Sequence, residues 1–530
     1  MLTAQYRQYE HIILDSTIFR APLPDDFVEF LPGRHLIIAN TYKNDLDAFR
    51  ATMHASQAEI LNKNLHILQE ARLTPFHFNS AEYEHNGVLH DIEGLIYMMT
   101  GCVPYRRATG VKCLVMTADE TLIRKLIQKK IPVDIVNCAA NDFLPHSEFN
   151  ILATTLPTPR PDANDPLPTA PKAKNGTLLL YTDGGQPVYL GLSTTEADAV
   201  LKGRESQVYD RCHIKGQADM DLFGKVFNEP GRNNEYYLTK GKVENIRKLR
   251  SLYQTMQISW ATLPVALLYQ DQACTMPVGY LMRKAPHQWT LQRICRFHNN
   301  WEIYNKKPLS LPLQLALQLT RQVMYLNVWG IWPVDYTFQN FGHPENEEDL
   351  LYMWDTDSFS QPEYCSLTHP ADLFKKPGPH PDHMELCADL LYQRVFSILT
   401  LGTAPFDANA FRKEFLFESL RYPFRYRGFY IPENLRKLFH QVFVCGCAPS
   451  VRCLMQELAL ALELDRLNPQ DLYQIDSRAC LLDDEGVPFY QERRHIHPVL
   501  RAPVLSTDLP DRNQAAHPRR AGTAFRRVVF

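Results

Sequence analysis

The stretch that decides the C-terminal fold is GIWPVDYTFQNF, residues 330–341, followed by LLYMWDTDSF, residues 350–359. It places Asp335 five residues before Asn340 and then adds a second acidic pair, Asp355 and Asp357. Carboxylate and amide oxygens hold Mg²⁺, and phosphoryl transfer depends mainly on metal ions, charge neutralisation and in-line positioning. The four side chains are therefore candidate metal ligands and catalytic carboxylates, although turns also favour Asp and Asn.

The segments on either side of this loop predict buried helices. LPLQLALQLTRQVMYLNVW, residues 311–329, is typical of a long apolar helix, and Gly330 is expected to end it. Residues 382–406 predict a second buried helix, and residues 429–443 an amphipathic one. A buried helix that leads directly into an Asp-rich loop strengthens the functional interpretation of that loop.

Residues 200–465 resemble a divergent bacterial protein-kinase-like family that occurs with a helix-hairpin-helix module and in tellurium-resistance-type systems. The phrases that carry the resemblance are ISWATLPVALLY, VGYLM, GIWPVDYTFQN, WDTDSF, GTAPF and PENLRKLFHQVF. The resemblance implies an α+β bilobal protein-kinase-like domain that transfers the γ-phosphoryl group of ATP to Ser or Thr hydroxyls of a protein substrate. It also implies von Willebrand A domain and PP2C-type phosphatase proteins as partners.

The resemblance also implies roles for individual residues. Gly203 would lie in a reduced glycine-rich loop, and Lys225 would bind the phosphates with Glu244 as its ion-pair partner. Met282 would contact the nucleotide in a sheet-edge and hinge segment that begins at Tyr280. Asp335 would be the catalytic base; Asn340 and Asp355 would hold Mg²⁺ or Mn²⁺, with Asp357 competing for the role of Asp355.

The chain departs from that family pattern at three places. Gly203 is followed by Glu205 and Ser206 where flexible glycines are common, which stiffens the loop. Pro333 and Val334 replace the usual His-Arg before the catalytic Asp, and Thr356 and Asp357 replace Phe-Gly after the metal-binding Asp. A pseudokinase, an ATP-responsive scaffold without phosphoryl transfer, is therefore the alternative.

The N-terminal part alternates predicted strands and helices. HIILDSTIF, residues 11–19, is a short apolar strand that ends at Asp15, and residues 111–137 give a strand, an acidic turn at Asp119, a helix and a strand. Such alternation predicts a parallel sheet with helices on both faces, in which functional groups gather at the carboxyl ends of strands. We therefore expect Asp15 and Asp119 to share one cleft.

This pattern resembles the PIN-like family of metal-dependent ribonucleases over about residues 10–140. The resemblance implies an α/β PIN-like domain that uses Mg²⁺ or Mn²⁺ to activate water against RNA, with Asp15 and Asp119 as metal ligands. The second acid would be Asp45 or Asp47, and the third Asp91 or Glu93. Asp119 could instead serve only as a helix cap, because Asp is a preferred N-cap residue.

Composition limits the remaining possibilities. The 530 residues carry a net charge of −3, which gives no global field for nucleic acid, and no stretch predicts a membrane span. The twelve cysteines lack the regular spacing of a disulfide scaffold, which favours a reducing cytoplasm. Those in CGCAPSVRC, residues 445–453, are interpreted as reduced structural cysteines. The predicted organisation is a PIN-like domain at 1–150, a Pro-rich linker at 151–176, a kinase-like domain at 177–465 and an extension with a basic tail at 466–530.

The combined prediction is a cytoplasmic Ser/Thr protein kinase fused to a metal-dependent ribonuclease, acting in bacterial stress response or phage defence. Two other interpretations stay open. One is an ATP-binding regulatory scaffold, and the other is a ribonuclease whose kinase-like part only recognises partners.

Overall fold

The computed structural model describes a discontinuous set of residues between 8 and 490. These are residues 8–9, 11–21, 23, 28–29, 35–39, 42–52, 55–70, 72–76, 92–100, 112–157, 160, 162–163, 165–167, 177–191, 205–214, 221–228, 238–256, 258–285, 288–290, 310–336, 340–344, 351–364, 383–399, 435, 438–439, 442, 450–466, 480–482 and 488–490. Within these ranges, no helix combines the length and the apolar character needed to span a bilayer.

A six-stranded sheet forms the N-terminal part, with the spatial order β3-β2-β1-β4-β5-β6. The strands are β1 (His11–Leu14), β2 (His35–Ala39), β3 (Arg72–Phe76), β4 (Cys113–Thr117), β5 (Asp134–Asn137) and β6 (Asp142–Leu144). All neighbours pair in parallel except β5 and β6. The predicted parallel α/β sheet is therefore confirmed. Its strand order reverses between β1 and β4, the place where sheets of this kind bind ligands.

Helices cover both faces of this sheet. They are α1 (Tyr42–Thr52), α2 (Ala55–Glu70), α3 (Ile92–Thr100), α4 (Glu120–Gln128) and α5 (Phe149–Thr155), with 3-10 turns at Ser16–Arg20 and His146–Glu148. Successive strand residues point to opposite faces, so Ile13 and Val115 join one buried cluster while Leu14 and Met116 join another. The near-continuous burial of β1 and β4 follows from this two-sided cover.

A seven-stranded antiparallel sheet follows, with the order β10-β8-β7-β12-β13-β11-β9. Its strands are β7 (Thr177–Thr182), β8 (Pro187–Gly191), β9 (Ser206–Tyr209), β10 (Arg211–Ile214), β11 (Leu222–Phe227), β12 (Pro264–Tyr269) and β13 (Pro277–Arg283). Lys225 lies in β11, as predicted. Tyr280 and Met282 lie in β13, which is flanked by β12 and β11. The prediction that this segment forms the sheet edge is wrong, because β13 has a strand on each side, whereas its role as a hinge stays a prediction.

The remaining elements are mostly helical. They are α6 (Lys240–Met256), α7 (Ser310–Val328), α8 (His383–Leu399) and α9 (Val451–Arg466), a small sheet of β14 (Gln288–Thr290), β15 (Phe341–Pro344) and β16 (Tyr352–Met353), and a hairpin of β17 (Cys480–Leu482) and β18 (Pro488–Tyr490). Gly330 follows α7 with φ +67°. The amides of Gly330 and Ile331 bond to the carbonyls of Asn327 and Leu326, a glycine-dependent helix end. The predicted end of this helix is confirmed.

One apolar core joins the N-terminal sheet to the C-terminal helices. Leu14 and Met116 of the parallel sheet belong to the same buried cluster as Tyr325 of α7, Leu391 of α8 and Leu454 of α9. The second face of that sheet instead packs on its own helices. The N-terminal sheet and the C-terminal helices therefore bury apolar surface against each other.

The segment predicted as a linker, residues 151–176, is attached to the C-terminal part at several points. Residues 151–155 belong to α5, so helix extends into the predicted extended region. Further along, the amide of Leu167 donates to the carbonyl of Leu238 at 3.1 Å, and the amide of Gly241 donates to the carbonyl of Ala163 at 2.8 Å. These backbone bonds hold the described residues of the segment in place. The domain boundaries themselves stay a prediction.

Gly330 gives a direct test of the helix end that leads into the loop with Asp335. A Cβ there would lie 2.9 Å from the carboxylate of Glu120 on α4, at a backbone φ that side chains rarely adopt. Gly330→Ala should lower the free energy of unfolding by about 1–2 kcal/mol, because a left-handed conformation strains Ala. Gly184→Ala is the control, since the nearest atom there is 4.0 Å away. Equal stability of both variants in denaturant titrations would contradict this account.

Candidate functional site

Lys225 is the centre of the C-terminal site. Its side chain is only 6% exposed, and its ammonium forms ion pairs with Asp355 and Asp357, 2.5 Å from Asp357 Oδ1. These carboxylates lie about 130 residues further along the chain, on the turn that follows β16. The structure therefore brings the predicted phosphate-binding lysine into contact with both candidates for the predicted metal-binding Asp.

Asp357 is buried inside a cage of donors. Its side chain is 1% exposed, and Lys242 of α6 lies 2.9 Å from its Oδ2. The hydroxyl of Tyr280 on β13 donates to its Oδ1 at 2.8 Å, and Asn245 of α6 donates to its backbone carbonyl at 3.2 Å. Both carboxylate oxygens of Asp357 are therefore engaged by cations or a phenol, and its role is to anchor the turn.

Burial and charge act in opposite directions on these groups. Burial alone would lower the pKa of Lys225, but Asp355 and Asp357 hold it well above its usual range. Burial would likewise raise the pKa of Asp357, but Lys225 and Lys242 hold it below its ordinary value. Lys242 also keeps a raised pKa, because Asp357 outweighs its burial. All three groups are therefore charged at neutral pH.

Short contacts join Asn340 to Asp335 and to Trp354, the residue that precedes Asp355. The Asn340 side-chain amide donates to Asp335 Oδ2 at 3.0 Å, and the Trp354 amide donates to the Asn340 carbonyl at 3.0 Å. Two reciprocal 2.8 Å backbone bonds between Trp332 and Ser360 hold the loop before Asp335 against the strand-like segment that follows Asp357. Backbone bonds therefore hold together the two acidic stretches, which about fifteen residues separate in the sequence.

Asp355 differs from Asp357 in its exposure and backbone. Its side chain is 41% exposed, whereas that of Asp357 is 1% exposed. Its backbone is left-handed, with φ 59° and ψ 42°. Asp tolerates this conformation better than most residues, and such conformations concentrate at functional sites. Of the two alternatives, Asp355 is the one that can reach a ligand.

Glu244 does not occupy the place predicted for it. Its carboxylate is 42% exposed and pairs with Arg247 one turn along α6, while Lys225 pairs with the two aspartates. The helical period explains the difference. Lys242 and Asn245 share the buried face of α6, and Glu244 lies on the other side with Arg247. The predicted Lys225–Glu244 pair is therefore wrong, and carboxylates from another segment replace it.

Met282 and Gly203 are the remaining residues that were predicted to contact the nucleotide. Met282 is 7% exposed and packs in the cluster with Phe227 and Tyr280. Its side chain therefore lies in a core beside Lys225, and its predicted contact with a nucleotide stays a prediction. Gly203 lies outside the described residues.

The N-terminal site surrounds Asp15, at the point where the strand order reverses. Asp15 follows β1 and is fully buried, and its Oδ2 accepts hydrogen bonds of 2.5 Å from both Thr17 and Thr117. Asp119 follows the neighbouring strand β4 and accepts from the amide of Leu122 at 3.1 Å as the N-cap of α4. The structure thus places both at adjacent strand ends, and the cap interpretation of Asp119 is also confirmed.

Arg452 of α9 completes this site. Its Nη1 contacts Asp15 Oδ1, and its Nη2 lies 3.2 Å from Asp15 Oδ2 and 2.8 Å from Asp119 Oδ2. Its side chain is 7% exposed. Burial would lower the pKa of Arg452, but Asp15, Asp119 and Asp45 hold it well above its usual value. A single guanidinium therefore joins the two carboxylates at the sheet switch point.

The carboxylates respond unequally to burial. Burial would raise the pKa of Asp15, but the charge and hydrogen bonds of Arg452, with those of Thr117 and Thr17, hold it below its ordinary value. Burial raises the pKa of Asp119 to about 6 in spite of Arg452. It likewise raises the pKa of Asp45 to about 6. Asp15 is therefore the principal partner of the arginine.

The structure separates the alternatives for the middle acids. Asp45 is buried and accepts a 2.5 Å hydrogen bond from Ser16, whereas Asp47 is 62% exposed and pairs with Arg50. Asp45 is therefore the member of the NDLDAF pair that faces the site. Glu93 forms an ion pair with Lys125 at 2.5 Å, and Asp91 lies outside the described residues.

The N-terminal residues do not fit a bound divalent ion in this arrangement. Both oxygens of Asp15 already have partners, and the positive Arg452 lies on the carboxylates that the ion would need. Within the described ranges, no group of three or more His, Cys, Asp or Glu side chains has the geometry of a metal site. A metal could bind Asp15 and Asp119 only after the guanidinium leaves.

The charge-binding roles of Lys242, Tyr280 and Arg452 were not predicted from the sequence. Lys242 had a signal, since it lies at the buried-face spacing of α6 from Asn245 and Leu249. The sequence signal for Tyr280 was weaker, namely a phenol within an otherwise apolar strand. Arg452 had none, because 437 residues separate it from Asp15 and no local pattern marks it.

Asp357 should contribute more to stability than any surface ion pair of α6. Asp357→Asn should lower the free energy of unfolding by about 3–5 kcal/mol, because it leaves Lys225 and Lys242 buried without a matching charge. Glu244→Gln, in an exposed pair, should cost less than about 1 kcal/mol. Denaturant titrations of both variants measure the difference. Equal costs would mean that the lysines find other partners.

Comparisons with known proteins add little to this geometry. No protein-family model and no curated protein matches the chain. Among solved structures, it is similar to ROP2 from Toxoplasma gondii, described as a virulence factor with a protein-kinase fold and no enzymatic activity. That match has 13% identity and a TM-score of 0.39, and it covers 57% of this chain and 87% of the other. So low a score supports no inference about fold or function.

Proposed function

We propose that the C-terminal part binds ATP and transfers its γ-phosphoryl group to a Ser or Thr hydroxyl. The observation that carries this proposal is the contact series Lys225–Asp355 and Trp354–Asn340–Asp335. These residues come from three separate stretches of sequence, and the contacts bring the three stretches together. A lysine, a catalytic Asp, an Asn and a second Asp are the groups that phosphoryl transfer in kinases requires.

Each residue then has a chemical role. The ammonium of Lys225, charged and inside the protein, would neutralise phosphate oxygens, and its release from Asp355 would free that carboxylate. Asn340 and Asp355 offer the amide and carboxylate oxygens that Mg²⁺ or Mn²⁺ prefers, and the metal would neutralise charge on the transferred phosphate. Asp335 would accept the proton of the attacking hydroxyl. Asp357 takes no part in this chemistry, because the two lysines and Tyr280 already engage its oxygens.

The transfer reaction is tested with γ-labelled ATP and Mg²⁺ or Mn²⁺. Asp335→Asn should lower labelling of the chain or an added protein roughly 10²- to 10⁴-fold, the usual contribution of a general base. Asp355→Ala should abolish labelling, whereas Asp221→Asn, an 83% exposed surface pair with Lys284, should retain it. Labelling that survives both site variants would contradict the proposal. No labelling, with ATP still bound, would favour the pseudokinase scaffold.

A second function is proposed for the N-terminal site, namely metal-dependent cleavage of RNA. The specific observation in its favour is that Asp15 and Asp119 lie at adjacent strand ends at the switch point of the parallel sheet, where α/β proteins bind ligands, and that one guanidinium contacts both. Asp45 is buried next to them, bonded to Ser16. Arg452 now neutralises this cluster, so the cleavage reaction requires that the arginine be displaced. The PIN-like assignment, the partners and the bacterial setting stay predictions.

The nuclease proposal is tested with labelled single-stranded RNA and Mn²⁺, using the wild type and an Arg452→Met variant. We expect cleavage in at least the variant, and its loss when Asp119→Asn is added or when the metal is chelated. Asp47→Asn should leave cleavage intact, since Asp47 is exposed and paired with Arg50. Absence of cleavage by both folded proteins would contradict a nuclease role.

A further inference from the structure

Arg452 lies at an unfavourable place on its own helix. Ser450 precedes α9 and its hydroxyl accepts the amide of Cys453 at 3.2 Å, so Arg452 belongs to the first turn. The helix dipole places partial positive charge at that end, where acidic residues are favoured and cations are not. Burial of a guanidinium adds a further desolvation cost. The helix itself therefore gives no reason for an arginine at this position.

The N-terminal carboxylates supply that reason. Arg452 contacts Asp15 through two nitrogens and Asp119 through one, and Asp45 adds attraction at longer range. Asp15 also accepts hydrogen bonds from the hydroxyls of Thr17 and Thr117, which fix the position of its carboxylate. A positive charge held by several carboxylates is the electrostatic equivalent of a bound cation, and it occupies the oxygens that a metal would use.

We propose that Arg452 is an internal cation that closes the N-terminal acidic site, so that the site accepts a divalent metal ion only when the first turn of α9 moves away. The proposal rests on the acidic site proposed above and adds its regulation. In the closed state the guanidinium and the metal ion compete for Asp15 and Asp119. Repulsion between the two cations excludes joint occupation of these carboxylates.

α9 is connected to the C-terminal site through its packing on α7. It packs against α7 in the shared apolar core, and α7 leads through Gly330 into the loop that carries Asp335. That loop also touches the N-terminal part directly, because the indole of Trp332 donates to the hydroxyl of Thr121 at 3.1 Å. α9 therefore packs on the helix that leads into the C-terminal site.

Binding of Mn²⁺ alone tests the proposal, with free ion measured by electron paramagnetic resonance. Arg452→Met should bind an added equivalent of Mn²⁺ at least about tenfold more tightly than the wild type, because a competing cation is removed. Adding Asp15→Asn to that variant should abolish the gain. Arg247→Met, which removes a 46% exposed arginine from an α6 surface pair, is the matched control and should change nothing.

A milder variant keeps the test decisive if Arg452→Met does not fold. Arg452→Lys retains one positive charge but only a single ammonium, so it should give a smaller gain in Mn²⁺ affinity. Circular dichroism and melting establish that each variant is folded. Folded variants without any gain, or a wild type that binds Mn²⁺ at Asp15 as tightly as Arg452→Met, would overturn the proposal.

The same proteins separate this inference from the nuclease proposal. If Arg452→Met gains Mn²⁺ binding but cuts no RNA, Arg452 closes the site and the nuclease role fails. If the wild type already cuts RNA with Mn²⁺ and Arg452→Met cuts no faster, the nuclease role stands and the closure by Arg452 fails.

Discussion

The buried carboxylate of Asp357 is the constraint on which the C-terminal site depends. It binds two lysines and a tyrosine that come from β11, α6 and β13, so one side chain fixes three elements against the turn after β16. A charge this deeply buried is tolerated only because its partners are all in place. The anchored turn in turn positions Asp355, which stays 41% exposed beside Lys225. Asp357 thus anchors the turn, and ligand binding is the role proposed for Asp355, two residues earlier.

The N-terminal site also depends on buried charges that compensate each other, but here one cation binds two carboxylates. There the carboxylates belong to adjacent strand ends and the cation comes from α9, far along the chain. The threonines at 17 and 117 add hydrogen bonds that keep Asp15 ionised. Because one core of apolar residues spans both parts, the two sites belong to a continuous packed body, and Arg452 is a polar contact within that packing. The N-terminal and C-terminal parts are therefore held together by apolar packing and by the ion pairs of Arg452.

Local sequence was enough to predict some of this and not the rest. Period-two and helical patterns gave β1, β4 and α7, and the rule for strand ends gave Asp15 and Asp119. The assignment of Glu244 failed because it ignored the helical phase, which turns Glu244 outward and Lys242 inward. Met282 was assigned to an edge because a single apolar strand does not reveal its neighbours. Arg452 could not be found, since its partners lie 333 and 437 residues away.

The proposed nucleotide site consists of Lys225, Asp335, Asn340 and Asp355. Calorimetric titration with a non-hydrolysable ATP analogue and Mg²⁺ tests it most directly, because binding is required whether or not transfer occurs. We predict saturable binding that Lys225→Met weakens by roughly 10- to 100-fold, the value of one charge-assisted hydrogen bond to phosphate. Absence of binding by the folded wild type, or binding that Lys225→Met leaves unchanged, would contradict the account.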